Sequence, residues 1–120
     1  MRIFVSGPYS APDDAGRITN VHRAFDAALA IHKRGHTFFC PHACHFVDER
    51  WQNLSVETTW DEWMTWCLEW LQSCDAVLSI GQCRGGDIEL KAAREVGIPI
   101  YYSTDDIPMA LVEEEESATI

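Results

Sequence analysis

Ala76-Val77-Leu78-Ser79-Ile80, followed directly by Gly81-Gln82-Cys83-Arg84-Gly85-Gly86-Asp87-Ile88-Glu89, is the stretch whose reading decides the fold. A short apolar run closed by glycine has the length and composition of a strand buried on both faces. Gly81 to Gly86 then reads as a loop, and Asp87 to Val96 as a helix that Gly97 stops. Glycine lets a backbone approach a ligand closely, and a helix N-terminus offers free N–H groups to anions. Placed in the first helical turn, Glu89 is expected to be held ionised by the helix dipole. Such a carboxylate could attack an electrophilic carbon, accept a proton or bind a cation.

On both sides of this unit the periods of two and of 3.6 alternate. Arg2 to Ser6 reads as a strand ending at Gly7-Pro8. Ile18, Val21, Phe25, Ala28, Leu29 and Ile31 mark one face of a helix over Arg17 to Arg34, with Gly35 as its stop. Thr37 to Cys40 reads as a second strand closed by Pro41, and a polar loop follows. Thr59-Trp-Asp-Glu62 has the pattern of a capping box opening a helix that runs to Leu71. Ile98 to Tyr102 reads as the last strand, with Pro99 near its start where a missing N–H costs little. This order predicts an α/β protein of the doubly wound, flavodoxin- or Rossmann-like kind: an open sheet of four or five mainly parallel strands in three α/β/α layers. The strands after which Gly7 and Gly81 come, the first and third, are expected side by side at the centre. Ligands of such sheets sit beyond the C-terminal strand ends, where the loops Gly7 to Gly16 and Gly81 to Gly86 meet.

With 120 residues and 47% hydrophobic content, a single domain over residues 1–120 is expected, with an acidic tail at about 113–120 that contains Glu113 to Glu116. A net charge of −10 argues against nucleic acid and anionic membranes as partners, though not against one small phosphate. No stretch approaches the roughly 18 apolar residues of a membrane span. Five cysteines, an odd number spread over several elements, suit reduced thiols. With no secretory leader in the opening residues, a cytoplasmic location is expected.

Ile3-Phe-Val-Ser-Gly-Pro-Tyr-Ser10, Asn20 ahead of an alanine-rich helix, Gly35, Pro41-His42, Leu68-Glu-Trp-Leu-Gln-Ser-Cys-Asp75, Gly85 with Glu89, and Gly97-Ile-Pro99 occur here in order. Together they resemble the nucleoside 2-deoxyribosyltransferase superfamily, over about residues 1 to 102. The chain is most similar to its short bacterial and phage members and to the nucleoside 5′-monophosphate N-glycosidases. The resemblance implies a nucleoside or nucleotide as the small-molecule partner, cleavage of its N-glycosidic bond by hydrolysis or transfer, and no cofactor. In that superfamily a Ser-x-Gly-x-x-x-Glu pattern carries the nucleophile, which puts Glu89 at the anomeric carbon, Gly85 on the glycine and Cys83 on the serine. Its loop after the first strand wraps sugar and phosphate, a role that falls to Gly7, Pro8, Tyr9 and Ser10. Tyr9 is the expected orienter of Glu89. Asn20 and His42 fall near the sugar, and Gly86 belongs to the same glycine loop. Where relatives carry an aspartate on the helix before the third strand, this chain has Cys67, leaving Asp61, Glu69 and Asp75 as surrogate acids. A nucleotide-binding module that has lost turnover is the alternative.

Arg17 and Arg84 flank the two loops as candidate phosphate ligands, each also readable as a solvated surface arginine. Cys40-Pro-His-Ala-Cys-His45 packs four possible zinc ligands into six residues, but no second Cys/His pair follows at finger-like spacing, so no metal is expected. Trp51, Trp60, Trp63, Trp66 and Trp70 gather around the helix opened by Thr59, which suits a core or a subunit interface. The superfamily resemblance likewise implies a homodimer or higher homo-oligomer.

Overall fold

The structure, a computed structural model, describes residues 1–111; the acidic tail expected at 113–120 lies outside them. In chain order the elements are β1 (Arg2–Ser6), α1 (Asp14–Lys33), β2 (Thr37–Phe39), a 3-10 turn (Pro41–Ala43), α2 (Cys44–Asn53), α3 (Trp60–Leu71), β3 (Ala76–Ser79), α4 (Arg84–Val96) and β4 (Ile100–Tyr101). The four strands form one open sheet in the order β2-β1-β3-β4, every pair parallel. This is the doubly wound three-layer α/β/α architecture, with β1 and β3 adjacent at its centre.

The alternation of side chains along β1 and β3 builds both layers. Ile3 and Val5 join Ala76 and Leu78 on one face, packed under Ala24, Ala27, Ala28 and Ile31 of α1. Phe4 and Val77 point to the other face, where Leu71 of α3 and Ala93 of α4 close over them. A strand covered on both faces has no polar side to show, so β1 and β3 read as unbroken apolar runs. Leu29, expected on the inner face of α1, is 51% exposed; one residue past Ala28, it is turned about 100° around the helix.

Cap chemistry sets the helix ends. Thr59 and Glu62 form the reciprocal capping box at the start of α3. Gly97 ends α4 in the left-handed conformation at φ 79°, which a side chain with a Cβ rarely adopts. Other boundaries move. Helix α1 starts three residues before the expected Arg17, because the Asp13 side chain accepts the Gly16 N–H at 2.7 Å. Helix α4 begins at Arg84 rather than Asp87, because Cys83 caps it with its sulfur on the Gly86 N–H at 3.2 Å. Gly85 and Gly86 are therefore the first turn of the helix and not a loop. The outer strands are shorter than expected, β2 ending at Phe39 and β4 comprising Ile100 and Tyr101.

The largest departure is α2, where a polar loop was expected. None of its ten residues is buried as a whole, and no apolar stripe marks it in the sequence. It is held by aromatic contact: the Trp51 ring lies 5.9 Å from that of Trp63, which meets Trp66 edge-on at 4.8 Å. Among the described residues no helix is long and apolar enough to cross a membrane.

Candidate active site

The chain crosses from one side of the sheet to the other between β1 and β3, and a cleft of about 490 Å³ opens at the C-terminal ends of those strands. This is the place where open parallel sheets bind ligands, because the loops from adjacent strands diverge there. Gly7, Pro8, Tyr9 and Ser10 form one wall, Cys83, Arg84, Gly85 and Gly86 another. Close approach of these walls requires glycine. A Cβ on Gly7 would overlap Ile80, and one on Gly86 would stand 3.0 Å from Cys83 Sγ and 3.4 Å from Ser6 Oγ.

Glu89 forms the floor. It sits in the second turn of α4, one turn deeper than the sequence suggested, and only 6% of it is exposed. There the helix dipole no longer governs its ionisation. Burial raises its pKa to about 7, opposed by the hydrogen bond that Ser6 Oγ donates to Glu89 Oε1 at 2.8 Å. The carboxyl is therefore poised near neutrality, not held firmly ionised. Ser6, fully buried at the end of β1, orients Glu89. The Tyr9 hydroxyl, expected in that role, meets His45 Nδ1 at 2.6 Å instead. A polar residue closing an apolar strand at the switch point was the available signal for Ser6.

His42 lines the cleft, with Nε2 3.1 Å from the Gly7 carbonyl and 3.2 Å from that of Pro8. Carbonyls only accept, so Nε2 carries the proton; burial lowers the pKa and keeps the ring neutral. His42 thus ties the turn after the second strand to the loop after the first. Asn20 does similar work from α1, donating from Nδ2 to the Tyr9 carbonyl at 3.0 Å, and it does not line the cleft. Arg17 stays outside as well, paired with Asp14 and donating to the Ala11 carbonyl at 3.1 Å. Arg84 is at the cleft, its guanidinium 4.3 Å from the centre of the Trp60 ring.

None of the surrogate acids reaches the cleft. Asp75 accepts the Arg2 N–H at 2.7 Å at the opposite end of the sheet, and Asp61 and Glu69 are exposed on α3. Cys67 does line it, and burial, with the nearby charge of Glu89, pushes its thiol up to about 12. Burial also raises Cys83. The carboxylate that joins Glu89 in the cleft lining is Asp48, from the unforeseen α2. Cys40, His42, Cys44 and His45 do not converge, and among the described residues no three His, Cys, Asp or Glu side chains are grouped to hold a metal ion.

A deep carboxyl, a backbone loop facing the first turn of α4, and the apolar side chains of Trp60, Trp63 and Met64 suit a small ligand with a polar, electrophilic centre and a flat apolar end. The chain belongs to the family described as a domain of unknown function, DUF4406, whose profile matches residues 1–102. No curated protein matches it significantly.

Proposed function

We propose that this member of the DUF4406 family is an N-glycosidase or 2-deoxyribosyltransferase acting on a nucleoside or nucleoside 5′-monophosphate, with Glu89 as nucleophile. The observation that carries the reading is Glu89 itself: buried, held by Ser6 and set beneath a cleft at the sheet's switch point. Its position agrees with the sequence resemblance to the nucleoside 2-deoxyribosyltransferase superfamily. Cleavage of an N-glycosidic bond develops oxocarbenium character at the anomeric carbon, and an ionised Glu89 stabilises that charge or captures the sugar covalently. Water or a second base then resolves the glycosyl-enzyme. The assay is incubation with a panel of nucleosides and monophosphates, followed by chromatography for free base. Intact substrates that nevertheless bind would favour the second reading, a nucleotide-binding module, for which the weakly acidic Cys67 in the cleft speaks.

The 5′-phosphate is assigned to the rim where α4 begins. The first amides of a helix lack intrahelical acceptors; Cys83 occupies the Gly86 N–H, and Arg84, at the first position of α4, adds its guanidinium to the cleft lining. A monophosphate should bind at least about 10-fold more tightly than its nucleoside, given roughly 1.5 to 3 kcal/mol per charge-assisted hydrogen bond. Equal affinities in titration calorimetry would refute the phosphate subsite.

The reading includes a cytoplasmic homo-oligomer. Phe38 and Trp70 are exposed by 46% and 57% and offer apolar side chains to a second copy. Sedimentation equilibrium should give a mass of at least twice 13.6 kDa; a monomer at micromolar concentration would overturn it.

A further inference from the structure

Beside Glu89 the cleft holds a second linked set of titratable groups, and the reaction as described so far does not use it. Tyr9, from the loop after β1, places its hydroxyl 2.6 Å from His45 Nδ1, and His45 Nε2 lies 3.5 Å from Glu49 Oε2 one turn along α2. Tyr9 and His45 both line the cleft, whereas the Glu49 side chain is 63% exposed. A phenol, an imidazole and a carboxylate thus run in line from the cleft to solvent.

We infer that Tyr9 is the acid that protonates the departing nucleobase, with His45 as the positioning residue that resupplies its proton. This rests on the glycosidase reading and deepens it. The other groups of the cleft are unsuited to the task. Cys83 accepts the Gly86 N–H at the start of α4, and among the described residues Cys67 makes no hydrogen bond through which a proton could be returned to it. His42 spends its one N–H on two backbone carbonyls. Asp48 accepts from Thr58 at 2.9 Å on one oxygen and from Gln52 at 2.7 Å on the other, which holds it as an acceptor. Arg84 does not deprotonate, and Glu89 must give up its proton to act as nucleophile.

With one proton on Nε2, His45 accepts from Tyr9, and the phenol is turned away from a ligand. With a second proton on Nδ1, the imidazolium donates to the Tyr9 oxygen and pairs with the Glu49 carboxylate 3.5 Å away, and the phenolic proton turns into the cleft. The step then balances. A Glu89 oxygen forms a bond to the anomeric carbon as the bond from that carbon to the base nitrogen breaks. The base keeps the electron pair and takes the Tyr9 proton, Tyr9 takes the Nδ1 proton, and His45 is left neutral. Water adding to the anomeric carbon releases the Glu89 carboxylate and returns a proton through Tyr9 to His45. Burial and the nearby Asp48 raise the Tyr9 pKa, so the phenolate does not persist between these transfers.

The test compares leaving groups. Tyr9→Phe and His45→Gln are assayed on 2′-deoxynucleoside 5′-monophosphates and on 4-nitrophenyl glycoside 5-phosphates, whose nitrophenolate departs without a proton. General acid catalysis contributes about 10²- to 10⁴-fold. Base release should fall about 100-fold or more in each variant, nitrophenol release no more than about threefold. The double variant should be no slower than Tyr9→Phe, because both residues serve one proton transfer. Equal losses on both substrates would overturn the inference and make the pair a wall of the cleft; undiminished base release would overturn it too. A parent protein inert on every substrate would remove the glycosidase reading and this inference together. Losses that ignore the leaving group, in a protein that Glu89→Gln inactivates, would remove only this one.

Discussion

Glu89→Gln is expected to lose base release by roughly 10³-fold or more while still binding the nucleotide. Glutamine keeps the size of the side chain and can still accept the Ser6 hydroxyl, so cleft and floor are retained. It cannot carry the negative charge that an oxocarbenium-like centre requires, nor form a glycosyl ester that water resolves, and loss of a nucleophile costs more than any positioning group nearby. Single-turnover assays with a monophosphate, run beside titration calorimetry, separate the two effects. A variant that keeps most of the parent's activity would show Glu89 to be structural. For the parent, the rising limb of kcat/KM against pH should lie near 7, where Glu89 ionises, and a falling limb should follow as the acid that protonates the base is lost.

The same carboxyl should put a slope into the pH dependence of stability. Its folded-state pKa is raised from 4.5 to about 7 by burial, so across that window the folded protein binds its proton more tightly than the unfolded chain does. Stability from this group is then complete below about pH 4.5, falls as pH rises towards 7, and is level above it. The size is on the order of 3 kcal/mol for a group this deeply buried. Glu89→Gln has nothing to ionise, so the variant should be the more stable protein above pH 7 and match its parent near pH 4.5. Urea denaturation of both proteins from pH 4.5 to 8 reads the difference directly, and titrations elsewhere cancel in it. Parallel profiles would mean that Glu89 is solvated in solution. A residue kept where it destabilises the fold at working pH is the expected signature of function.

Local rules were enough for much of this molecule. The apolar runs of β1 and β3, the capping box at Thr59 and the glycine stops at Gly35 and Gly97 act over a few residues, so they are legible without a partner in view. From their order come the parallel sheet, the central pairing of β1 with β3, and the meeting of the Gly7 and Cys83 loops at one edge. Glu89, singled out in the sequence by its register against Gly85, lines the cleft.

What the tertiary structure alone decided is which groups face one another. Helix α2 has no apolar stripe and so leaves no period to read, yet it brings His45 and Asp48 to the cleft. The ionisation of Glu89 could not be taken from its place near a helix start, because the desolvation that raises its pKa comes from a packed interior, and Ser6, 83 residues away in sequence, supplies its hydrogen bond. Tyr9 turns to His45, while Asn20 and Arg17 bind backbone carbonyls outside the cleft. Strand and cap signals depend on neighbours along the chain. Burial, proton affinity and the choice of hydrogen-bond partner depend on neighbours in space, and those are set only once the layers have packed.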